Sequence, residues 1–458
     1  MKLNPFRLIF FLSSVILLSS CLGTNTPTAT SSDPTFVSLT LAGNDSVTKG
    51  VFTLVDNTIV NVDSLPFTSK VDSVFPTFTF KSSAATKLKF PKGYKFKKDS
   101  AFISGKDTID FRQPITLINY AADGKTPAYY TVKVNVHQVD PELYIWKPVS
   151  GNLNSINSIN QKAIILNDKI FYYQNDGSNN VTVSNDGYSW ATATLSGLPA
   201  NAAVNKMLQL NGKLFLLQDG TMYSSGDGLN WTSNACSPAS YTYKTLLVTL
   251  SDSIRALVQS ADQTYRFAAS KDGLNWLINN TVDVPDNFPV SDFSSVSFNA
   301  PTGKAKALVL SGYSRNNNLL KNNWSTEDGL YWVDFSTANH TMDTLAIGAS
   351  VISYDSKLFL FGLRTNDGKT FYKVSNDEGL SWQRTDSIRN VLPVGYLPRN
   401  YQSVVVFKPS DLKGVQPIGT LPQILQSNRI FIVGGKNGST TYSDIWTGKL
   451  NRKNFLRQ

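Results

Sequence analysis

One short phrase recurs five times in the second part of the chain, closing each time on glycine, two residues and tryptophan. It reads Ser184-Asn-Asp186-Gly187-Tyr-Ser-Trp190, Ser225-Gly-Asp227-Gly228-Leu-Asn-Trp231 and Ser270-Lys-Asp272-Gly273-Leu-Asn-Trp276. It returns as Thr326-Glu-Asp328-Gly329-Leu-Tyr-Trp332 and, with Glu378 inserted, as Ser375-Asn-Asp377-Glu-Gly379-Leu-Ser-Trp382. The tryptophans fall 41, 45, 56 and 50 residues apart. A period of that size implies an array of small β-sheets, none able to bury its faces alone.

Upstream of the phrases lie hairpin patterns: Leu166-Asn-Asp-Lys-Ile-Phe-Tyr172, Leu210-Asn-Gly-Lys-Leu-Phe-Leu216 and Tyr354-Asp-Ser-Lys-Leu-Phe-Leu360. Weaker versions are Leu250-Ser-Asp-Ser-Ile254 and Asn299-Ala-Pro-Thr-Gly-Lys304. Asn-Gly and its relatives supply the positive φ angles of a two-residue turn. A sixth unit lacks the tryptophan phrase but keeps Ser427-Asn-Arg-Ile-Phe-Ile-Val433 and continues Gly434-Gly435 … Tyr442-Ser-Asp444-Ile-Trp446. Four antiparallel strands per unit and six units predict a six-bladed β-propeller over 139–458. An open ring would leave an unpaired edge. Leu143-Tyr-Ile-Trp146-Lys-Pro-Val-Ser-Gly-Asn-Leu153 matches the strand after a repeat tryptophan, so it is expected to be the outer strand of the last blade.

Ahead of the array, 35–138 carries short period-two runs such as Phe36-Val-Ser-Leu-Thr-Leu41, Thr77-Phe-Thr-Phe80 and Tyr129-Tyr-Thr-Val-Lys-Val-Asn-Val136. These predict a β-sandwich. The fold class is therefore all-β, a sandwich followed by a propeller. Residues 21–34 read as a flexible tether. Residues 1–20 read as a secretory signal: Lys2 and Arg7 precede an apolar run, Leu8 to Leu18, too short to span a bilayer as a stable helix.

The phrase Ser/Thr-x-Asp-(x)-Gly-x-x-Trp resembles the Asp box of sialidases and other propeller proteins, and the sixth unit resembles a kelch blade. The likeness implies structural roles for Asp186, Asp227, Asp272, Asp328 and Asp377 in the turns, and for Trp190, Trp231, Trp276, Trp332 and Trp382 between blades. It places the boxes away from the central pocket. Leu18-Ser-Ser-Cys21 resembles a lipobox, which implies a diacylglyceryl thioether on Cys21; each buried methylene of such an anchor adds about 0.8 kcal/mol to membrane binding. Asp110-Phe-Arg-Gln-Pro114 … Tyr120-Ala-Ala-Asp-Gly124 … Tyr130-Thr-Val-Lys-Val134 resembles the end of Ig-like spacer modules. Asp-Ser/Thr pairs before a small aliphatic residue, as at Asp45-Ser46-Val and Asp72-Ser73-Val, resemble an O-glycosylation sequon of exported proteins. Together these features resemble a family of Bacteroidetes lipoproteins of no assigned activity, with an N-terminal Ig-like domain and an Asp-box/kelch-like propeller. The resemblance implies a monomer anchored to the outer membrane.

Sialidase-like hydrolysis needs a raised-pKa acid and a second carboxylate, or a tyrosine nucleophile assisted by glutamate. The chain has only three glutamates: Glu327 and Glu378 inside box turns, and Glu142 ahead of the fastening strand. Aspartate-based hydrolysis stays open. With only His137 and His340, no histidine metal site or Ser-His-Asp triad is expected, and no cofactor. Once Cys21 is lipidated only Cys236 remains, so no intrachain disulfide forms. The net charge of +10 comes from scattered lysines and arginines, a solvated basic surface rather than a nucleic-acid site.

Function is then expected on the face opposite the boxes. Its polar connections offer Tyr313, Arg315, Arg364, Asn366, Tyr396, Arg399 and Lys436 as candidate ligand-binding residues. The expected activity is non-catalytic binding of a glycan or an envelope protein. The alternatives are an aspartate-based propeller hydrolase and a protein-binding scaffold of an outer-membrane assembly.

Overall fold

The computed structural model describes residues 30–91, 102–138, 140, 142–149, 153–154, 156–337, 347–364, 367–385, 389–408 and 428–451. The chain divides into two compact units, Met1–Asp140 and Pro141–Gln458. Among the described residues no helix is long and apolar enough to cross a membrane.

The first unit is a two-sheet β-sandwich. Phe36–Ala42 pairs antiparallel with Phe75–Phe80 in one sheet. The other sheet runs in the order Phe52–Val55, Thr58–Asn61, Pro127–Lys133, Ile115–Tyr120, Ala85–Lys89. Period-two alternation turns Leu39 and Leu41 from one sheet, and Ile59, Ile115, Leu117 and Val132 from the other, into one core. Thr58–Asn61 runs parallel to Pro127–Lys133, a pairing that no hairpin signal in the sequence announces. Asn119 is fully buried and ties the domain's start to its middle: its amide donates to the Pro34 carbonyl at 3.1 Å and the Ser82 carbonyl at 2.9 Å. A four-residue helix, Asp45–Thr48, is capped by Asn44, whose side chain accepts from the Val47 N–H.

The second unit is a propeller of six four-stranded antiparallel sheets. Blade 1 comprises Gln161–Leu166, Lys169–Asn175, Asn179–Ser184 and Ala191–Ala193; blade 2 comprises Leu208–Leu210, Lys213–Gln218, Thr221–Ser225 and Thr232–Ala235. Blade 3 comprises Thr242–Leu250, Ser253–Gln259, Tyr265–Ser270 and Leu277–Asp283; blade 4 comprises Ser294–Asn299, Ala305–Leu310, Asn323–Thr326 and Val333–Asp334. Blade 5 comprises Ser350–Tyr354, Lys357–Leu363, Thr370–Ser375 and Gln383–Arg384. Blade 6 draws Ser403–Phe407, Arg429–Val433 and Ile445–Leu450 from the end of the chain and takes its outer strand, Tyr144–Pro148, from the start of the unit. The ring is fastened where the sequence predicts.

The first strand of each blade is innermost and touches the first strands of both neighbours around the ring. Six apolar clusters fill the wedges between successive blades, each drawing on two of them. Because both faces of a blade are covered, second strands read as near-continuous apolar runs, as in Ile170-Phe-Tyr-Tyr173. The tight turns follow their residue types: Asn167 and Asp168 have φ of 48° and 57°, and Asp355 and Ser356 have 53° and 56°.

Hydroxyls on the inner strands stitch blades together. The Ser294 hydroxyl donates to the Ala349 carbonyl and the Ser350 hydroxyl to the Gln402 carbonyl. At the seam the Ala163 N–H donates to the Ser403 hydroxyl at 2.7 Å, joining blade 1 to blade 6.

Candidate functional site

Each box lies in the turn between the third and fourth strands of its blade. In blade 2 the Asp227 carboxylate accepts the N–H groups of Leu229 and Asn230, both at 2.8 Å, and the Ser225 hydroxyl at 2.9 Å. Ser225 in turn accepts the Gly228 N–H at 2.9 Å. The Asn230 N–H, the Asn230 side-chain amide and the Leu229 N–H hold the Asp227 carboxyl well below the usual carboxylate range. Blades 1, 3 and 4 repeat the geometry with Asp186, Asp272 and Asp328. In blade 5 the inserted Glu378 takes φ of 61°, and Asp377 still accepts the Ser381 N–H at 2.9 Å. Trp190, Trp276 and Trp332 donate their ring N–H to the box glycine carbonyl at 3.0–3.2 Å. Trp231 packs edge-on against Tyr173 of blade 1, Trp332 stacks on Phe267 of blade 3, and Trp382 joins the wedge between blades 4 and 5.

Every box glycine abuts the second strand of the preceding blade. The space a Cβ would need is taken by Phe431 at Gly187, Phe171 at Gly228 and Phe215 at Gly273. Arg255 fills it at Gly329 and Leu308 at Gly379. Blade 6 has no box, and there Tyr144 of the closing strand packs edge-on against Phe359 of blade 5, with centroids 5.5 Å apart.

All three glutamates are paired with lysines. Lys306 lies 3.1 Å from Glu327 and 2.7 Å from Glu378, bridging the boxes of blades 4 and 5, while Glu142 lies 3.8 Å from Lys357.

Strand direction puts the starts of the first strands on the face opposite the boxes. A cavity of about 180 Å³ opens there, lined by all six blades. Its polar lining includes Lys162 of blade 1, Asn205 and Lys206 leading into blade 2, Thr245 of blade 3, Asp292 before blade 4, Ser350 of blade 5, and Tyr401 and Gln402 before blade 6. Asp292 is the single carboxylate among the described lining residues. Lys162 is half-buried, and burial lowers its pKa. Burial raises that of Tyr401, with smaller contributions from the Asp292 carboxylate and Tyr313. The Tyr401 ring fills the space beside Gly348. Among the described residues no group of three His, Cys, Asp or Glu side chains stands close enough to hold a metal.

The candidate residues from the sequence lie around this cavity rather than in it. Arg315 pairs with Asp286 at 2.8 Å, donates to the Val284 carbonyl at 2.5 Å and lies over the Tyr265 ring. Arg364 pairs with Asp367 at 2.5 Å, and Lys436 donates to the Asn157 side chain at 3.1 Å. Tyr313 bonds through its backbone to Ser291 and contributes to the field at Tyr401. The Arg399 side chain is 1% exposed, sandwiched between the rings of Tyr396 and Tyr442 at 4.4 and 3.9 Å and forked onto the Asp444 carboxylate. Both faces of its guanidinium are thus covered by protein. Asn366 and Cys21 lie outside the described residues. Cys236 is a buried free thiol, and burial raises its pKa.

Most of the polar cavity residues precede or open a first strand, while Thr245 lies within one. No residue motif marks those connections, whereas the loops rich in asparagine and arginine stand out by composition.

The solved structure of YjhT is similar in fold at 10% identity, covering 65% of this chain and 95% of that one, with a TM-score of 0.42. The structure of the SapL1 lectin in complex with alpha methyl fucoside matches at 15% identity, covering 59% of this chain and 87% of that one, with a TM-score of 0.35. No curated protein matches the chain. Residues 32–134 match the N-terminal domain of a family described as a domain of unknown function, DUF6242, and residues 140–458 match that family's beta propeller domain. The chain belongs to the DUF6242 family, with both its N-terminal and its propeller domain.

Proposed function

We propose that this is a non-catalytic binding protein of the cell envelope, held to the outer membrane through lipid on Cys21. The N-terminal sandwich serves as an Ig-like spacer, and the propeller presents its central cavity to a glycan or protein partner. The observation that carries this reading is the cavity itself: it gathers amides, hydroxyls, two lysines and a tyrosine from six blades, with one carboxylate among them. A glycosidase needs two carboxyl groups facing each other across the scissile bond. Among the described residues Asp292 has no carboxylate counterpart in the cavity lining, and the three glutamates are engaged elsewhere. The box aspartates are taken up by turn N–H groups, which suits them to structure rather than acid–base work.

The scaffold reading gains from one observation. Val394 is fully exposed and Leu397 is 53% exposed on the connection that leads into blade 6, an apolar pair suited to a protein contact.

A glycan array probed with the full chain, run beside hydrolysis assays on the same glycans, tests the proposal. Retention of a glycan without turnover is the expected outcome. Turnover lost on Asp292→Asn would overturn it.

A further inference from the structure

The cavity is electrostatically divided. Lys162 and Lys206 stand on the adjoining walls of blades 1 and 2, whereas Asp292 leads into blade 4, three blades on from blade 1 and two from blade 2 in a ring of six. Neither lysine makes an ion pair or side-chain hydrogen bond among the described residues, and Asp292 makes none either. The three arginines among the candidates on this face are already matched: Arg315 with Asp286, Arg364 with Asp367, Arg399 with Asp444. A half-buried ammonium without a counter-ion is costly unless something outside the chain supplies the charge.

The volume narrows what that something is. At about 180 Å³ the cavity lies below the roughly 300–1,000 Å³ of sites that take drug-sized ligands, a size suited to one terminal unit rather than a length of polymer. Around the lysines, Asn205, Thr245 and the edge of Tyr401 offer amide, hydroxyl and ring surfaces, the groups that meet sugar hydroxyls and C–H faces.

Resting on the channel reading above, we infer that the cavity receives the anionic terminal unit of an acidic saccharide, with Lys162 as the half-buried counter-ion and Lys206 at the mouth. A lysine is a point charge without the fork geometry of arginine, so carboxylate, sulfate and phosphate are all admitted as the acid group. The charged groups that line the cavity with Lys162 are Lys206, ahead of blade 2, and Asp292, ahead of blade 4, with the Tyr401 phenol from the connection into blade 6. Burial disfavours protonated Lys162 in the free protein, and an anion beside it favours that form. Binding therefore takes up a proton at any pH between the free and the ligand-bound pKa of Lys162.

Isothermal titration of the full chain with glucuronate, galactose 6-sulfate, glucose 6-phosphate and neutral glucose tests this. At least one acid sugar is expected to bind tenfold or more tightly than glucose, and the tightest of the three names the acid group. Lys162→Met is expected to remove at least tenfold of that preference, Lys206→Met a smaller part, and Lys162→Arg to retain most of it. Repeating the titration of unaltered protein in buffers of different ionisation enthalpy is expected to show proton uptake, a readout that needs no variant to fold. Equal affinity for glucuronate and glucose, a preference unchanged by Lys162→Met in a folded variant, or no binding of any sugar would overturn the inference. Asn205→Trp, which fills the cavity from blade 2, separates the two claims. If it abolishes a binding that lacks acid preference, the channel reading stands and the acid assignment falls; if binding survives it, the channel reading falls as well.

Discussion

The ring of Phe171, on the second strand of blade 1, fills the space where a side chain on Gly228 of blade 2 would stand. The box therefore does more than turn the chain: it docks each blade onto the one before. A Cβ at this position would meet the Phe171 ring at 2.7 Å, and Gly228 holds φ at 77°. Gly228→Ala is thus expected to cost about 3 kcal/mol from overpacking and backbone strain together. In a double-mutant cycle, Phe171→Leu should recover part of that loss, because the two residues share one contact. Additive effects in chemical denaturation would contradict the docking role.

The box aspartates set a pH dependence. Turn N–H groups depress the Asp227 carboxyl, so the folded state binds its proton less readily than the unfolded chain does. The stabilisation is present above the unfolded value of about 3.9 and is lost as pH falls toward the folded value. Unfolding free energy should fall steadily below about pH 4, and Asp227→Asn should flatten that slope while lowering stability at neutral pH. An unchanged slope, measured by denaturation across pH 2–5, would count against this account.

The seam has its own contact. Gly448 on the third strand of blade 6 lies beneath the Trp146 indole of the closing strand, which leaves no room for a side chain. Gly448→Val should lift Tyr144–Pro148 off the blade and make that strand the first site of limited proteolysis, with a lowered Tm. A variant as protease-resistant as the parent would show that closure does not depend on this contact.

Arg399 is the sequence candidate whose position differs most from a ligand-binding role. Replacing it by Met removes the guanidinium donors from the Asp444 carboxylate, which keeps the Trp446 indole N–H at 2.8 Å, and empties the slot between Tyr396 and Tyr442, an expected loss of about 3 kcal/mol. Arg399→Lys should not rescue it, since an ammonium cannot fork onto Asp444 while stacking on both rings. Thermal unfolding of the two variants decides the matter.

Much of the fold was legible because it is carried by local chemistry. Asn167-Asp168 and Asp355-Ser356 specify turns by themselves, and Trp146 announces the closing strand by resembling its five cousins. The parallel pairing of Thr58–Asn61 with Pro127–Lys133 was not legible, because parallel neighbours share no turn. Arg399 read as a ligand group for a similar reason. Its partners Tyr442 and Asp444 are brought to it by the hairpin of Lys436–Asn437 with Thr440–Thr441 and by the pairing of Asn400 with Lys436, a contact between distant segments that local sequence does not encode. The Phe of the Lys-Ile/Leu-Phe pattern at 171 and 215 was visible in the hairpins, but its service to the next blade's glycine appears only in three dimensions. Lys162 sits in an ordinary strand sequence and gains meaning only when six strand ends converge.

The account's central claim is that function lies in the channel opposite the boxes. The most direct test compares two single substitutions in the full chain against whichever ligand a binding screen retains: Asn205→Trp, which fills the channel, and Tyr331→Glu, which alters an exposed position on the box face. The account predicts that Asn205→Trp weakens binding at least tenfold while Tyr331→Glu leaves it unchanged. Loss of binding with Tyr331→Glu and retention with Asn205→Trp would contradict it.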